Sequence, residues 1–387
     1  MNTGRYVISQ LLDMVHRQTL DRLVRRYGAE SRVRHFGCRQ QLICMIFAQL
    51  TWRDSLRDIE ACLNARPEAL YHMGFKNPVA RSTLADANEQ RDWQLWRDLA
   101  MGLVGKARRL YANEDLGIEL DQAVYALDST TIDLSLTLFG WAGFRSTKAG
   151  IKLHTQLDLR GPIPTVIDIT PARMHDVRWL DTISYEAGAF YIMDRAYVDF
   201  TRLARIAESG AFFVTRAKDN LRFTRHRSCP VDYLNGIRSD QIGKLGLATA
   251  RRNFPWPLRK IRYYDSEQER TLVFLCNQMS LPALNVAALY RLRWQVELFF
   301  RWIKQNLRIK HFYGNSANAV KTQVWIAVAV YLIVAILHKQ LKLPGQLHRT
   351  LQILSVHPFE KTSINELLTE TERRNQEGHL HNQLMLW

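Results

Sequence analysis

The clearest pattern of apolar and polar positions along this chain lies between residues 290 and 304, which read YRLRWQVELFFRWIK. On a helix of about 100° per residue, Tyr290, Arg293, Glu297 and Lys304 fall within one narrow stripe. The apolar residues of the stretch form a separate stripe, which is typical of a helix packed on a core. The pattern predicts one continuous helix that presents a carboxylate flanked by two cations and a phenol. A solvated face of an ordinary amphipathic helix has the same spacing.

The first 120 residues have the spacing of short helices. Arg25 and Arg26 belong to an arginine-rich stretch near the N-terminus, and Arg22 lies on a neighbouring helical position. Such a run is either a solvated face or a contact surface for phosphates. We predict a helical DNA-binding domain in which Arg25 and Arg26 contact DNA, although a plain helical packing domain fits the spacing equally well.

Downstream of this domain the pattern changes to that of strands. One apolar run, Ala123–Leu127, ends at Asp128, and another, Ala189–Met193, ends at Asp194. Ile151–Leu159 alternates apolar and polar residues, as a half-buried strand does. With helical stretches between the strands, the pattern indicates a mixed α/β fold with buried central strands.

The chain divides into five predicted segments. They are a helical N-terminal domain (1–120), the first part of an α/β core (121–217), a β-rich insertion (218–285), the second part of the core (286–342) and a helical C-terminal tail (343–387).

The charge of the chain narrows the class of partner. Lys and Arg number 53 against 37 Asp and Glu, which gives a formal net charge of +16. This self-repulsion favours a polyanionic partner, either nucleic acid or an anionic membrane. The longest apolar run, Val324–Leu337, has 14 residues, whereas a membrane-spanning helix needs about 20, so we predict a buried core helix. No apolar leader follows Met1 and the five cysteines are scattered, which favours a reduced, cytosolic protein. Of the two polyanionic partners, nucleic acid is therefore the one that the sequence favours.

The acids that follow the apolar runs are candidates for a metal site. Strand ends of open α/β sheets deliver side chains into a crevice, and Glu297 supplies a third carboxylate from the predicted helix. Mg²⁺ prefers oxygen ligands, and two such ions about 3.5–4 Å apart can clamp both oxygens of a phosphodiester displacement. An Asp after a strand is also a common turn former or helix cap, so this pattern alone leaves both interpretations open.

A known family shares these motifs. The spacing Y-x2-R-x3-E-x6-K, met by Tyr290, Arg293, Glu297 and Lys304, resembles the signature of transposases of the insertion sequence four family. The segments ALDST, which contains Asp128, and IMDRAY, which starts at Ile192 and contains Asp194, resemble the two aspartate blocks of that family. The likeness covers roughly residues 80–340.

The resemblance implies a DDE transposase with an RNase H-like core that is interrupted by the β insertion. Asp128, Asp194 and Glu297 would be catalytic and would hold two Mg²⁺ ions, with Mn²⁺ able to substitute. The remaining implied site residues contact DNA: Tyr290, Arg293 and Lys304 beside the terminal nucleotide, and Lys148, Lys152 and Arg195 near the acids. A flipped base would stack on an aromatic residue of the insertion, for which Trp256 and Phe274 are the candidates, with core packing as the alternative for both.

The same resemblance implies a cut-and-paste reaction. Binding at terminal inverted repeats, cleavage of the ends through a hairpin intermediate and joining of 3′-OH ends to target DNA would follow. The partners would be double-stranded DNA and a second copy in a synaptic homodimer, with no membrane, in the bacterial cytoplasm near the nucleoid. The alternatives are a metal-dependent RNase H-like nuclease that cuts without joining, and a catalytically silent DNA-binding derivative.

Overall fold

The computed structural model describes residues 4–31, 33–145 and 148–369. These residues cluster into two units. The helical unit comprises the described parts of Met1–Tyr111, Leu134–Trp141 and Arg301–Trp387. The sheet unit comprises Ala112–Asp133 and the described part of Ala142–Phe300. Each unit is considered by itself below.

The helices of the described residues follow the predicted order, with a helical N-terminal part and helices again near the C-terminus. They are α1 (Val7–Asp13), α2 (Arg17–Tyr27), α3 (Cys38–Leu50), α4 (Leu56–Asn64), α5 (Pro67–His72), α6 (Arg81–Gln90), α7 (Gln94–Tyr111), α8 (Asp176–Trp179), α9 (Phe200–Glu208), α10 (Ala248–Asn253), α11 (Ala283–Leu292), α12 (Trp294–Asn306), α13 (Ala317–Gln340) and α14 (Leu347–Val356). The predicted tail contains α14, and its residues from 370 onward lie outside the described residues.

Helix α13 forms the core of the helical unit. It packs on α7 and α3, and among the described residues it is the helix that is long and apolar enough to cross a membrane. However, 94% of its most apolar stretch is buried inside the protein. The prediction of a buried core helix at Val324–Leu337 is confirmed, and the helix is longer than the apolar run because its polar ends continue it.

The strands of the described residues belong to one mixed sheet in the sheet unit. They are β1 (Val124–Leu134), β2 (Gly143–Arg145), β3 (Lys148–Asp158), β4 (Ile163–Pro171), β5 (Phe190–Met193), β6 (Phe212–Arg216), β7 (Phe223–Ser228), β8 (Ile237–Leu245), β9 (Leu258–Asp265) and β10 (Arg270–Cys276). Their order is β2-β3-β1-β5-β6-β10-β9-β8-β7, with β4 paired to β3. The mixed α/β prediction is confirmed at this level.

The centre of this sheet is parallel, and its outer part is antiparallel. Strands β1, β5 and β6 run parallel, and buried aromatic and aliphatic residues of β5 and β6, including Tyr191 and Phe213, pack in one apolar cluster with Leu203 of α9. Strand β10 then pairs antiparallel with β6, and β9, β8 and β7 follow it antiparallel. The strands of the predicted insertion, 218–285, therefore extend the same sheet.

Two predicted boundaries are wrong. Strand β1 does not end at Leu127, as its apolar run indicates, but continues through Asp128 to Leu134, because the β-branched residues that follow Ser129 favour an extended backbone. The helix predicted for 290–304 is divided into α11 and α12 at Arg293. The backbone tightens there, since the Arg293 N–H donates to the Tyr290 carbonyl and the Val296 N–H to the Arg293 carbonyl.

A buried histidine on β3 links the sheet to α8. His154 has no exposed side-chain surface, and its ring stacks on Trp179 with centroids 5.4 Å apart. Its Nε2 lies 2.9 Å from the Thr170 hydroxyl. Burial lowers the pKa of His154 to about 4, although the carboxylate of Asp176 acts in the opposite direction.

This histidine predicts a pH-dependent stability. The unfolded-state pKa is about 6.5, so between pH 6.5 and 4 the unfolded chain binds more protons, and stability falls as the pH is lowered through this range. We expect wild type to lose up to about 3 kcal/mol relative to His154→Gln, which keeps a polar group but cannot be protonated there. Urea unfolding of both proteins at pH 7, 6 and 5 measures the difference. A difference that does not change with pH would contradict the expectation.

Candidate active site

The register of two parallel strands places Asp128 beside Asp194. Strand β1 pairs with β5 so that Leu127 faces Met193, and the described register ends at that pair. Asp128 and Asp194 are the next residues on each side. Because adjacent strands lie about 4.8 Å apart, both acids occupy neighbouring positions just past the last parallel pair of β1 and β5. Ligands of open α/β sheets bind where the parallel strands give out.

The helix junction at Arg293 brings Glu297 to these two acids. Arg293 Nη1 lies 3.1 Å from Asp128 Oδ2, and Arg293 Nη2 lies 2.6 Å from Glu297 Oε1. The Tyr290 hydroxyl donates to Asp194 Oδ1 over 3.2 Å. The predicted stripe of Tyr290, Arg293 and Glu297 thus faces the acids of the sheet, and each of the three carboxylates is contacted by a side chain from this stripe or lies on it.

The electrostatics show that the three acids influence one another. Burial raises the pKa of Asp128 to about 6, and the negative charges of Glu297 and Asp194 act in the same direction. The Ser129 N–H and the charge of Arg293 oppose this rise. The raised pKa of Asp128 is therefore mainly an effect of burial, to which the two neighbouring acids add.

The donor set fits a hard cation, although the acids are not gathered around a common point. Asp128, Asp194 and Glu297 offer oxygen atoms, which Mg²⁺ and Mn²⁺ prefer. Among the described residues, no group of three or more His, Cys, Asp or Glu side chains lies close enough together to hold a metal ion. The Arg293 guanidinium contacts one carboxylate oxygen of Asp128 and one of Glu297, so these two oxygens are engaged by a cation of the protein.

A cleft of about 540 Å³ in the sheet unit is lined by residues of the stripe that contacts the acids, although none of the three acids lines it. Tyr290 and Arg293 line it together with Tyr263, Phe274 and Trp294. The Trp294 side chain is about half exposed. The cleft therefore combines ring surfaces with guanidinium groups, which suits a nucleotide next to the carboxylates.

The other cations predicted near the acids have different surroundings. Lys148 is exposed at the start of β3. Arg195 follows Asp194 directly and forms an exposed ion pair with Asp219, with Nη1 3.2 Å from Oδ2. Lys152 is mostly buried and lies 2.9 Å from Asp176 Oδ1. Lys148 and Arg195 are thus accessible to DNA, whereas the Lys152 ammonium is engaged within the protein.

The remaining predicted DNA-binding residues lie in the helical unit. Arg25 and Arg26 are exposed on α2, and Arg26 Nη1 lies 3.2 Å from Asp98 Oδ2 on α7. Lys304 is partly buried on the part of α12 that belongs to this unit.

The two base-stacking candidates differ in exposure. Phe274 is 1% exposed and contacts the rings of Tyr290 and Tyr263, at centroid distances of 5.0 and 6.3 Å. Trp256 is 38% exposed and meets Phe254 edge-on. Core packing, the alternative considered for both residues, fits Phe274, and Trp256 keeps a surface on which a base could stack.

Truncating the two rings separates these roles. We expect Phe274→Ala to lower the free energy of unfolding by about 3–5 kcal/mol, because it leaves a cavity behind Tyr290. Trp256→Ala, as the exposed counterpart, should cost about 1 kcal/mol or less. Urea unfolding monitored by circular dichroism measures both values, and a cost for Phe274→Ala as small as that for Trp256→Ala would show that its ring is not part of the core.

The structure also reveals polar residues that the sequence did not single out. The Ser129 hydroxyl donates to Asp176 Oδ1 over 2.7 Å, and Tyr197 is buried close to both. Asp176 begins the short helix α8 and does not follow an apolar run, so the sequence pattern gives no signal for it. The alternation of Ile151–Leu159 places Lys152 on one face of a strand but does not name its partner.

Comparisons with known proteins place the chain in a family. The family described as Transposase DDE domain matches residues 119–333, more than half of the chain, and one described as Domain of unknown function (DUF4372) matches residues 3–76. The chain is 35% identical over 277 residues to a Sinorhizobium fredii protein named "Putative transposase y4zB", covering 70% of this chain and 76% of that protein. It is 25% identical over 263 residues to the Geobacillus stearothermophilus "Probable transposase for insertion sequence element IS5377", covering 67% and 68%. A Synechocystis sp. protein, "Putative transposase for insertion sequence element IS4SA", is 23% identical over 286 residues, covering 73% and 76%.

Proposed function

The chain belongs to the Transposase DDE domain family, and we propose that it moves an insertion sequence by a cut-and-paste reaction in which Asp128, Asp194 and Glu297 are the catalytic acids. The observation that carries the proposal is that one stripe of α11 and α12 carries Glu297 and contacts both Asp128 and Asp194 of the sheet. Asp194 accepts from Tyr290, and Arg293 joins Asp128 to Glu297. The resemblance to insertion sequence four transposases agrees with the family match.

Each residue of the site has a proposed role. Asp128, Asp194 and Glu297 would hold two Mg²⁺ ions, which when bound supply an activated water and charge stabilisation for phosphoryl transfer. Tyr290 orients Asp194 through its hydroxyl. Arg293 limits the repulsion among the acids, and its delocalised charge also suits contact with a phosphate. The cleft lined by Tyr263 and Trp294 would receive the nucleotide at the cleaved end.

The sheet supports the proposal of an RNase H-like core. The β3–β4 hairpin lies on one side of β1, and the parallel strands β5 and β6 lie on the other. The strands of the insertion, β7 to β10, lie in the sequence between β6 and the helices α11 and α12, the second of which carries Glu297. Two carboxylates on neighbouring strands and a third on a following helix are the arrangement that the resemblance implies.

The proposed substrate is double-stranded DNA, and the outer edge of the sheet unit suits it. Strand β7 is the last strand in the sheet order, and Arg225 and Arg227 are exposed on it. Since phosphate contacts contribute most of the affinity of a basic protein for DNA, this edge is a candidate DNA contact. Two ends must be held together during transposition, so we propose a homodimer, as the resemblance implies, that acts in the cytoplasm on terminal inverted repeats.

Neutralising each acid tests the proposed site. We expect Asp128→Asn, Asp194→Asn and Glu297→Gln each to reduce strand cleavage by more than about a thousandfold, since each removes a charge that the transition state needs. Binding to a labelled element end should stay within a few-fold of wild type. Glu208→Gln, an exposed acid on α9, is the matched control and should cleave normally. Cleavage at a near-normal rate by any of the three variants would remove that acid from the site.

The same assay separates the alternative functions. With element ends and a supercoiled target present, a transposase yields joined products, a nuclease yields only cut ends, and a silent DNA-binding protein yields neither. Hairpinned ends on denaturing gels would support the hairpin route that the resemblance implies, and their absence from every stage of a productive reaction would exclude it.

Salt dependence tests the basic edge. We expect the double variant Arg225→Ala and Arg227→Ala to flatten the log–log dependence of DNA affinity on salt by about 1.8, since each lost phosphate contact contributes about 0.9. The control double variant, Arg202→Ala and Arg205→Ala, removes the same charge from α9, where both side chains pair with Asp181, and should leave the slope nearly unchanged. Equal slopes for the two double variants would show that β7 makes no specific contact with DNA.

A further inference from the structure

A second polar cluster lies behind the candidate active site, on the side of β1 that faces β3 and α8. Asp176, the first residue of α8, accepts hydrogen bonds from the Ser129 hydroxyl over 2.7 Å and from the Lys152 ammonium over 2.9 Å. Ser129 directly follows Asp128, and its backbone N–H donates to Asp128 Oδ1 over 2.8 Å. A continuous chain of contacts therefore runs from Lys152 through Asp176 and Ser129 to Asp128.

Lys152 is committed to this cluster. Its side chain is 16% exposed, and its ammonium also donates to the Met174 carbonyl over 2.8 Å. Burial acts to raise the pKa of Asp176, but the hydrogen bonds from Lys152 and Ser129 hold it below its ordinary value. The neighbouring His154, with Nδ1 3.9 Å from Asp176 Oδ1, stays neutral near pH 7 because burial lowers its pKa. Lys152 is thus the cation that balances Asp176 here.

The position of the cluster along β1 indicates which part of the backbone it restrains. The described register between β1 and β5 ends at Leu127 and Met193, so Asp128 and Ser129 lie beyond the ladder with β5, on the part of β1 that continues to Leu134. A charged carboxylate that is partly buried is costly unless it is paired and hydrogen-bonded. The Asp176 carboxylate accepts a hydrogen bond from the Ser129 hydroxyl and so restrains the β1 backbone at Ser129. The backbone N–H of the same residue donates to Asp128.

We propose that Asp176 and Lys152 are positioning residues, which fix Ser129 and through it the Asp128 carboxylate. The proposal rests on the catalytic role proposed for Asp128. It assigns Lys152 to Asp176 instead of to a DNA phosphate. Partners that orient a metal-ligating group change metal affinity by about 10–100-fold when they are lost, so the effect is expected in metal dependence.

The first test compares Ser129→Ala, Ser129→Thr and Asp176→Asn. We expect Ser129→Ala and Asp176→Asn to raise the Mg²⁺ concentration for half-maximal cleavage about 10–100-fold, with end binding close to wild type. Ser129→Ala keeps the ion pair of Lys152 with Asp176 and should also keep the wild-type thermal midpoint, whereas Asp176→Asn leaves Lys152 without its carboxylate and should lower the midpoint. Ser129→Thr keeps the hydroxyl and should restore the wild-type dependence. Titration of Mn²⁺ alone, followed by electron paramagnetic resonance, should show the same order of affinities without any reaction. An unchanged metal dependence in Ser129→Ala and Asp176→Asn would overturn the proposal, and so would a lowered thermal midpoint as their sole change.

The second test concerns Lys152. We expect Lys152→Met to weaken Mn²⁺ binding in the same direction as Asp176→Asn while leaving the salt slope of DNA binding unchanged. A slope flatter by about 0.9 with normal Mn²⁺ binding would indicate a phosphate contact and overturn the assignment. Asp128→Asn, measured in parallel, distinguishes a failure of the proposed catalytic role of Asp128 from a failure of the positioning role of Asp176. Full cleavage by that variant would refute the proposed function, whereas loss of cleavage there with a normal Asp176→Asn would refute only the positioning role.

Discussion

A single guanidinium group holds the candidate active site together. Arg293 reaches Asp128 on β1 and Glu297 one helical turn further along α12, and its side chain is only 16% exposed. Three acids at one place repel one another, and the raised pKa of Asp128 reflects this repulsion together with burial. Because loss of one partner from a buried ion pair leaves a costly uncompensated charge, the sheet and the helix pair are coupled through this residue. The break between α11 and α12 also falls at Arg293. The same residue therefore ends one helix and balances the charge of two acids.

Sequence periodicity predicts those features of the site that depend on a single helix or a single strand. The stripe of Tyr290, Arg293 and Glu297 follows from the helical repeat, and the apolar runs before Asp128 and Asp194 follow from strand burial. Pairings between distant elements do not follow from a repeat. Nothing in the alternation of β3 indicates that Lys152 meets Asp176 and not a phosphate, and the continuation of β1 past Asp128 depends on neighbours that a short apolar run does not contain. The resemblance to a family predicts which acids are catalytic, but it does not predict which side chains contact them.

The cations of the chain differ in whether they pair with acids of the protein or are exposed. Arg293 and Lys152 are used inside the sheet unit to balance acids, and Arg202 and Arg205 pair with Asp181 on its surface. A buried cation engaged in this way, such as Lys152, contributes to the overall field but would first have to leave its carboxylate to contact a phosphate. Exposed cations such as Arg225 and Arg227 on β7 are therefore a better guide to a contact surface than a count of Arg and Lys along the sequence.

The register of β1 against β5 is the constraint on which the meeting of Asp128 and Asp194 depends. In a strand, a shift by one residue turns every side chain to the opposite face, so a slip would separate the two carboxylates even if both strands still formed. The residues that precede the acids, Val124–Leu127 and Phe190–Met193, are buried throughout, as expected for strands covered on both faces. Burial on both faces means that alternation alone does not fix the register. The differing sizes of the packed side chains, with Tyr125 against Tyr191 and Ala126 beside Ile192, select it, and the chemistry of the site thus depends on packing in the apolar core beneath it.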